Sequence, residues 1–105
     1  MLHRFIFQRR ARQQFQDICD YLVSEFGVKT TEEFIDEAEQ IVAILMKFPA
    51  CGHPEAIEGK YPYRSKIVGK YNKMYYYVRG NTLVIAAFVD MRMSPENIKK
   101  AVIGK

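Results

Sequence analysis

Residues 63–90 read YRSKIVGKYNKMYYYVRGNTLVIAAFVD, and the way this stretch pairs with itself decides the fold. β-Branched and aromatic residues dominate three runs, Tyr63–Val68, Tyr71–Arg79 and Thr82–Asp90, which is the composition of strands. Gly69-Lys70 and Gly80-Asn81 separate them and each fits a two-residue hairpin turn, so the spacing predicts three consecutive antiparallel strands. The third run, TLVIAAFVD, is apolar almost throughout, as a strand with neighbours on both sides should be.

Upstream the periodicity changes. Leu2–Phe7 (LHRFIF) is a short strand candidate; beyond it Ala11, Phe15, Ile18, Cys19, Leu22, Val23 and Phe26 recur at helical steps, with Arg9, Arg10, Arg12, Gln13, Gln16 and Asp17 on the other side. That pattern is an amphipathic helix, with Gly27 placed for a left-handed cap and Val28 able to fold back onto the apolar stripe. Thr30-Thr31-Glu32-Glu33 predicts a capping box for a second helix, whose apolar set is Phe34, Ile35, Ala38, Ile41, Val42, Leu45 and Phe48 and which Pro49 stops. A connection as short as Gly27–Lys29 makes the two helices an antiparallel hairpin. Ala50–Pro62 reads as a loop, and Ser94-Pro95 as the cap and first residue of a last helix through Ile98, Ala101 and Val102. The order β-α-α-β-β-β-α predicts one α+β domain over residues 1–105, a helical hairpin packed on one face of a curved, mainly antiparallel sheet.

Composition narrows the class. The 105 residues suit one domain, and 49% hydrophobic with 27% charged residues is a globular core, which excludes a fibrous or disordered chain. No apolar run is long enough to span a membrane, and the opening MLHRFIFQRR lacks the features of a signal peptide. Cys19 and Cys51 form no Cys-x-x-Cys pattern, and together these features predict a cytoplasmic protein without a disulfide framework. His3 and His53 have no partner at metal-ligand spacing, and no Gly-rich phosphate loop, serine nucleophile motif or paired carboxylates are found. The expectation is therefore no metal and no cofactor.

The net charge of +4 is uneven. Residues 1–50 hold 6 basic and 8 acidic side chains, whereas residues 51–105 hold 10 basic and 4 acidic. Lys60–Arg79 alone carries six basic residues, no acidic ones and six of the seven tyrosines. Such a mixture suits phosphates and bases, although strands favour tyrosine and lysines keep exposed strands soluble. With a two-residue turn at Gly69-Lys70, Val68 faces Tyr71, Lys66 faces Lys73 and Arg64 faces Tyr75. Carried through Gly80-Asn81, this register opposes Tyr77 to Val84, Tyr75 to Ala86, Lys73 to Phe88 and Tyr71 to Asp90. Ile67, Met74, Tyr76 and Val78 then point to the helices, and the other face collects Arg64, Lys66, Lys73, Tyr71, Tyr75, Tyr77 and Asp90 around small Ala86. Two lysines opposed across strands repel, so this open face reads as an anion site held ready for phosphate.

Several pieces in this order resemble the RelE/ParE superfamily of bacterial toxins. They are Phe48-Pro49-Ala50-Cys51-Gly52 after the second helix, the strand opening Tyr63-Arg64, and the turn Gly69-Lys70-Tyr71 followed by Met74–Val78. The closing Val89-Asp90-Met91-Arg92 with Ser94-Pro95 completes the likeness, which covers nearly the whole chain. The resemblance implies the toxin of a type II toxin–antitoxin module, silenced by a cognate antitoxin whose disordered segment folds around it. Two activities occur in the superfamily. RelE-like members enter the ribosome and cleave mRNA without a metal, and ParE-like members bind DNA gyrase and cut nothing. Under the first, the cationic catalytic positions match Arg64, Lys66 and Lys73, and more loosely Arg92, with Tyr71, Tyr75 and Tyr77 as substrate contacts. Lys73 stands where the pattern has arginine, which keeps the charge but loses the bidentate fork. The tail Pro95–Lys105 (PENIKKAVIGK) departs further, lacking the C-terminal tyrosine or histidine-tyrosine pair of those ribonucleases. The cationic face makes translation-linked mRNA cleavage by a metal-independent endoribonuclease the expected activity, and the tail supports the alternative, a gyrase-binding or catalytically degenerate member.

Overall fold

The computed structural model describes residues 2–104, so Met1 and Lys105, the ends of the quoted N- and C-terminal stretches, lie outside the described residues. Its elements are β1 (Arg4–Phe7), α1 (Arg9–Phe26), α2 (Val28–Lys47), a 3-10 turn (Pro49–Cys51), β2 (His53–Pro54), β3 (Arg64–Val68), β4 (Asn72–Arg79), β5 (Thr82–Asp90) and α3 (Pro95–Ile103). The strands form one sheet in the order β1-β5-β4-β3-β2, antiparallel except where β1 lies parallel to β5. This is the expected α+β fold, and β5 is an interior strand as its apolar run predicts. β2, within the stretch read as loop, adds a short strand beside β3.

The helical hairpin covers one face because the periodic residues of both helices meet there. Phe34, Ala38, Ile41, Val42 and Leu45 of α2 are buried with Ala11 and Cys19 of α1 against Val68, Met74, Tyr76, Leu83, Ile85 and Phe88. Aromatic rings fill the centre: Phe88 lies 4.9 Å from Phe15 and 6.1 Å from Phe7, and Phe15 lies 5.7 Å from Phe34. Val23, Phe26 and Phe48, expected in the apolar stripes, are exposed instead, as is Val28. Val28 begins α2 and does not fold back on α1. Gly27 links the helices with a φ of 92°, and its N–H donates to the carbonyls of Leu22 and Val23. The capping box does not form; Thr31 instead donates its hydroxyl to the Gly27 carbonyl at 3.0 Å, one turn back. Ser94 does cap α3, accepting from the Asn97 N–H.

The predicted register of β3 on β4 is overturned. Val68 pairs with Asn72, Lys66 with Met74, and Arg64 with Tyr76, so the turn holds three residues, Gly69–Tyr71. Tertiary bonds hold the longer turn: the Gly69 N–H donates to Glu37 of α2 at 2.6 Å, and the Met91 N–H donates to the Tyr71 carbonyl at 2.7 Å. One residue of slip turns every β3 side chain to the other face. Gly80-Asn81 is the two-residue turn expected, with Arg79 opposite Thr82 and Tyr77 opposite Val84. A bulge at Ala86 then shifts β5, so Tyr75 meets Ala87, Lys73 meets Val89 and Asn72 meets Asp90.

The second face is also covered. α3 and the segment before β3 pack Val102, Ile98, Tyr61 and Tyr63 over Tyr75, Tyr77, Val84, Ala86, Ala87 and Val89. Arg10 and Gln14 of α1 hold α3 in place by donating to the carbonyls of Val102 and Ala101, at 3.0 and 3.1 Å.

Candidate functional site

The residues singled out from sequence occupy different places. Arg64 and Lys66 lie on the hairpin side of β3, opposite Tyr76 and Met74, whereas Lys73 lies on the α3 side of β4. No Lys66–Lys73 pair exists, and the single cationic face is not formed. Arg64 donates to the carbonyls of Gly52 and Ala50 at 2.8 and 3.1 Å, which fastens the 3-10 turn to the sheet. Tyr76 grips the same turn from below, its hydroxyl donating to the Pro49 carbonyl at 2.7 Å and accepting from the Gly52 N–H at 2.9 Å. Gly52 is required there, because a side chain would run into the Tyr76 ring and hydroxyl.

Lys73 is tied down by Glu55, in the Ala50–Pro62 stretch. Its Nζ donates to Glu55 Oε2 at 3.0 Å, and the buried Ser65 hydroxyl donates to the same oxygen at 2.6 Å. Burial raises the Glu55 pKa, but the hydrogen bonds from Ser65 and Lys73, with the charges of Lys73 and His53, outweigh it and hold the carboxyl below its ordinary value. Glu55 stands two residues after His53, and no motif in the sequence connects it with Lys73.

Arg92 sits apart from both, beyond the end of β5. Its Nε and backbone N–H donate to Asp90 Oδ1 and its Nη2 to Oδ2 at 2.6 Å, while the guanidinium lies 4.1 Å from the centre of the Tyr71 ring. The Arg92 hydrogen bonds hold the Asp90 carboxyl low, as an ion pair that orients the arginine. Of the three tyrosines only Tyr71 is exposed; Tyr75 and Tyr77 are 2% and 3% accessible. Burial and the nearby Glu55 charge push the Tyr75 pKa up to about 12, away from the range useful for proton transfer at neutral pH. Tyr77 accepts from Gln8 at 3.0 Å and stacks flat on Tyr61 at 3.8 Å.

Two exposed apolar surfaces were not signalled by periodicity. Around the C-terminal end of α1, Tyr21 and Phe26 meet edge to face beside Tyr71 and Arg92, and both are more than half exposed. On β1, Phe5 and Ile6 are also exposed. Among the described residues no group of His, Cys, Asp and Glu could hold a metal ion, and no helix is long and apolar enough to cross a membrane.

Comparison with known proteins bears on this arrangement. The family described as "ParE toxin of type II toxin-antitoxin system, parDE" matches residues 5–95. A chain from the solved structure "Chromosomal ParDE TA system from P. aeruginosa" superposes with a TM-score of 0.70 at 17% identity, over 88% of this chain and 98% of that one. No curated protein matches the chain. The α+β architecture, the order of its elements and a family match running from within β1 through the helical hairpin and the remaining strands together place the chain in the ParE toxin family of type II toxin–antitoxin systems.

Proposed function

We propose that this toxin stops growth in the ParE-like manner, by binding DNA gyrase in the cytoplasm, and that a cognate antitoxin silences it. The observation that carries the reading is the dispersal of the cations. Cleavage of RNA by its own 2′-hydroxyl asks for a base, an acid and positive charge around one phosphate. In that reading Arg64, Lys66, Lys73 and Arg92 stabilise the transition state on the ribosome and Tyr71, Tyr75 and Tyr77 hold the mRNA. Arg64 and Lys73 instead point to opposite sides of the sheet and are engaged with backbone carbonyls and Glu55, and Tyr75 and Tyr77 are buried. The Tyr21, Phe26, Tyr71 and Arg92 surface favours a protein partner, since exposed aromatics with an arginine are the composition of binding hot spots.

Lys66→Ala and the double substitution Tyr21→Ala with Phe26→Ala separate the two readings. Lys66 makes no side-chain ion pair or hydrogen bond among the described residues, so its loss should leave the fold intact. Binding predicts that Lys66→Ala stays toxic on induction while the double variant loses toxicity. A soluble, folded Lys66→Ala protein that no longer arrests growth would favour the nuclease.

A further inference from the structure

Where β1, β5 and β4 run side by side, one row of residues crosses all three strands: Arg4 pairs with Thr82, and Thr82 with Arg79. Residues paired in this way point to the same side of the sheet, here the α3 side, because Val84 and Tyr77 of the next row are buried there. The cover of that face stops short of this row, since Arg4 and Arg79 are exposed and Thr82 is half-buried. With Ile6, Val84, Tyr77 and Gln8, the three line an open cleft of about 370 Å³.

Strands lie about 4.8 Å apart, so the two arginine Cα atoms stand about 10 Å from each other with the Thr82 side chain between them. Arg4 Nε donates to Thr82 Oγ1 at 3.1 Å, which draws its guanidinium toward β5 and leaves the Nη groups and the Thr82 hydroxyl hydrogen to donate elsewhere. Lys73 and Arg92 are each neutralised by a carboxylate. Arg4 and Arg79 are not: among the described residues neither makes an ion pair, Arg79 makes no side-chain hydrogen bond, and no residue lining the cleft is acidic. Two uncompensated positive charges thus flank one hydroxyl. A carboxylate or a phosphodiester would bring one negative charge, whereas a phosphate monoester brings about 1.5–2 at neutral pH and three acceptor oxygens, which matches the pair. Beyond the row the floor is apolar, with Val84 buried and Ile6 44% exposed. Gln8 closes the far end; its Nε2 is given to the Tyr77 hydroxyl at 3.0 Å, so its Oε1 is the acceptor there. From Arg4 to Gln8 the strand runs about 13 Å, a length that a phosphate, a sugar and a base fill.

We propose that this cleft binds a nucleotide by its terminal phosphate. Arg4, Arg79 and the Thr82 hydroxyl donate to the phosphoryl oxygens, the base lies over Ile6 and Val84, and Gln8 Oε1 accepts from a base N–H. A free nucleotide and the phosphorylated 5′-end of a nucleic acid present this same group. The cleft shares no residue with the surface of Tyr21, Phe26, Tyr71 and Arg92. The inference goes beyond the gyrase reading and holds whichever way the toxin arrests growth.

The test is NMR titration of the whole chain with adenosine 5′-monophosphate, adenosine and inorganic phosphate, followed at the amides of residues 4–8 and 77–84. The expected result is saturable shifts at these amides with adenosine 5′-monophosphate, and binding weaker by about tenfold or more for adenosine and for inorganic phosphate. Arg79→Gln removes a side chain with no partner in the fold and should weaken the nucleotide by about tenfold while leaving the rest of the spectrum unchanged. Two short DNA oligomers, one with a 5′-phosphate and one with a 5′-hydroxyl, separate the sources. Binding of the phosphorylated oligomer alone identifies a nucleic-acid end, and binding of adenosine 5′-monophosphate but neither oligomer identifies a free nucleotide. No shift at these amides with millimolar adenosine 5′-monophosphate would overturn the proposal, as would an affinity unchanged by Arg79→Gln. So would equal binding of adenosine, of inorganic phosphate, or of the two oligomers. None of these readouts involves gyrase, so failure here and failure of the gyrase reading are separate results.

Discussion

The hairpin face and the α3 face of the sheet are both closed, by different chemistry. On the first, helices of 18 and 20 residues press an aromatic cluster of Phe7, Phe15, Phe34 and Phe88 onto the strands, with few polar atoms involved. On the second, a nine-residue helix and an irregular segment cover tyrosines, and hydrogen bonds hold the cover: Arg10 and Gln14 on α3, Gln8 on Tyr77, and Glu55 with Ser65 and Lys73. The difference teaches where charge can live in a small domain. Of the residues that resemble a site, Lys73 and Tyr77 are fasteners of the face that lacks a long helix, and Arg64 fastens the 3-10 turn on the hairpin side.

Substitutions can break this contrast. The largest loss should come from the hairpin face: Phe88→Ala removes the ring that touches both Phe7 and Phe15, at a cost of about 3–5 kcal/mol, measured by urea unfolding. Tyr76→Phe should cost about 1–3 kcal/mol, because the Gly52 N–H is left buried without its acceptor. On the α3 face, Glu55→Gln should cost about 1 kcal/mol at neutral pH, and its larger signature is in the pH dependence. The Glu55 pKa is lowered on folding, so the carboxylate's contribution is complete above its ordinary value of 4.5 and is lost as the pH falls through the lower folded value. Unfolding midpoints of the native chain should therefore fall in that acidic window more steeply than those of Glu55→Gln. A slope unchanged by the substitution would mean that Glu55 does not fasten this face. Asp90→Asn should be the smallest, leaving the unfolding midpoint unmoved while freeing Arg92 from its clasp.

The same contrast explains what the sequence could tell. The hairpin face was legible because Phe15, Ile18, Cys19 and Leu22 on α1, and Phe34, Ala38, Ile41 and Leu45 on α2, repeat over several turns and meet one sheet. Gly80-Asn81 was legible because the turn is local. The register of β3 was not, since the turn after it is held by Glu37 reaching Gly69 from another element. Arg64 and Lys66, turned toward the hairpin by the slip, are tolerated there because they stay half-buried near the margin of the sheet, where Arg64 reaches carbonyls. The burial of Tyr75 and Tyr77 was not legible, because Tyr61, Tyr63 and Val102, which cover them, come from short segments with little periodicity. Glu55 carried no signal at all: its link to Lys73 spans 18 residues and a change of strand.

The most direct test of the binding account adds the purified chain, in parallel, to a DNA supercoiling reaction with gyrase and to a translating extract. The account predicts that supercoiling stops at toxin concentrations comparable to gyrase while the messages in the extract remain full length. Cleaved messages together with unimpaired supercoiling would contradict it, and would mean that cations on two faces of one sheet reach the same phosphate.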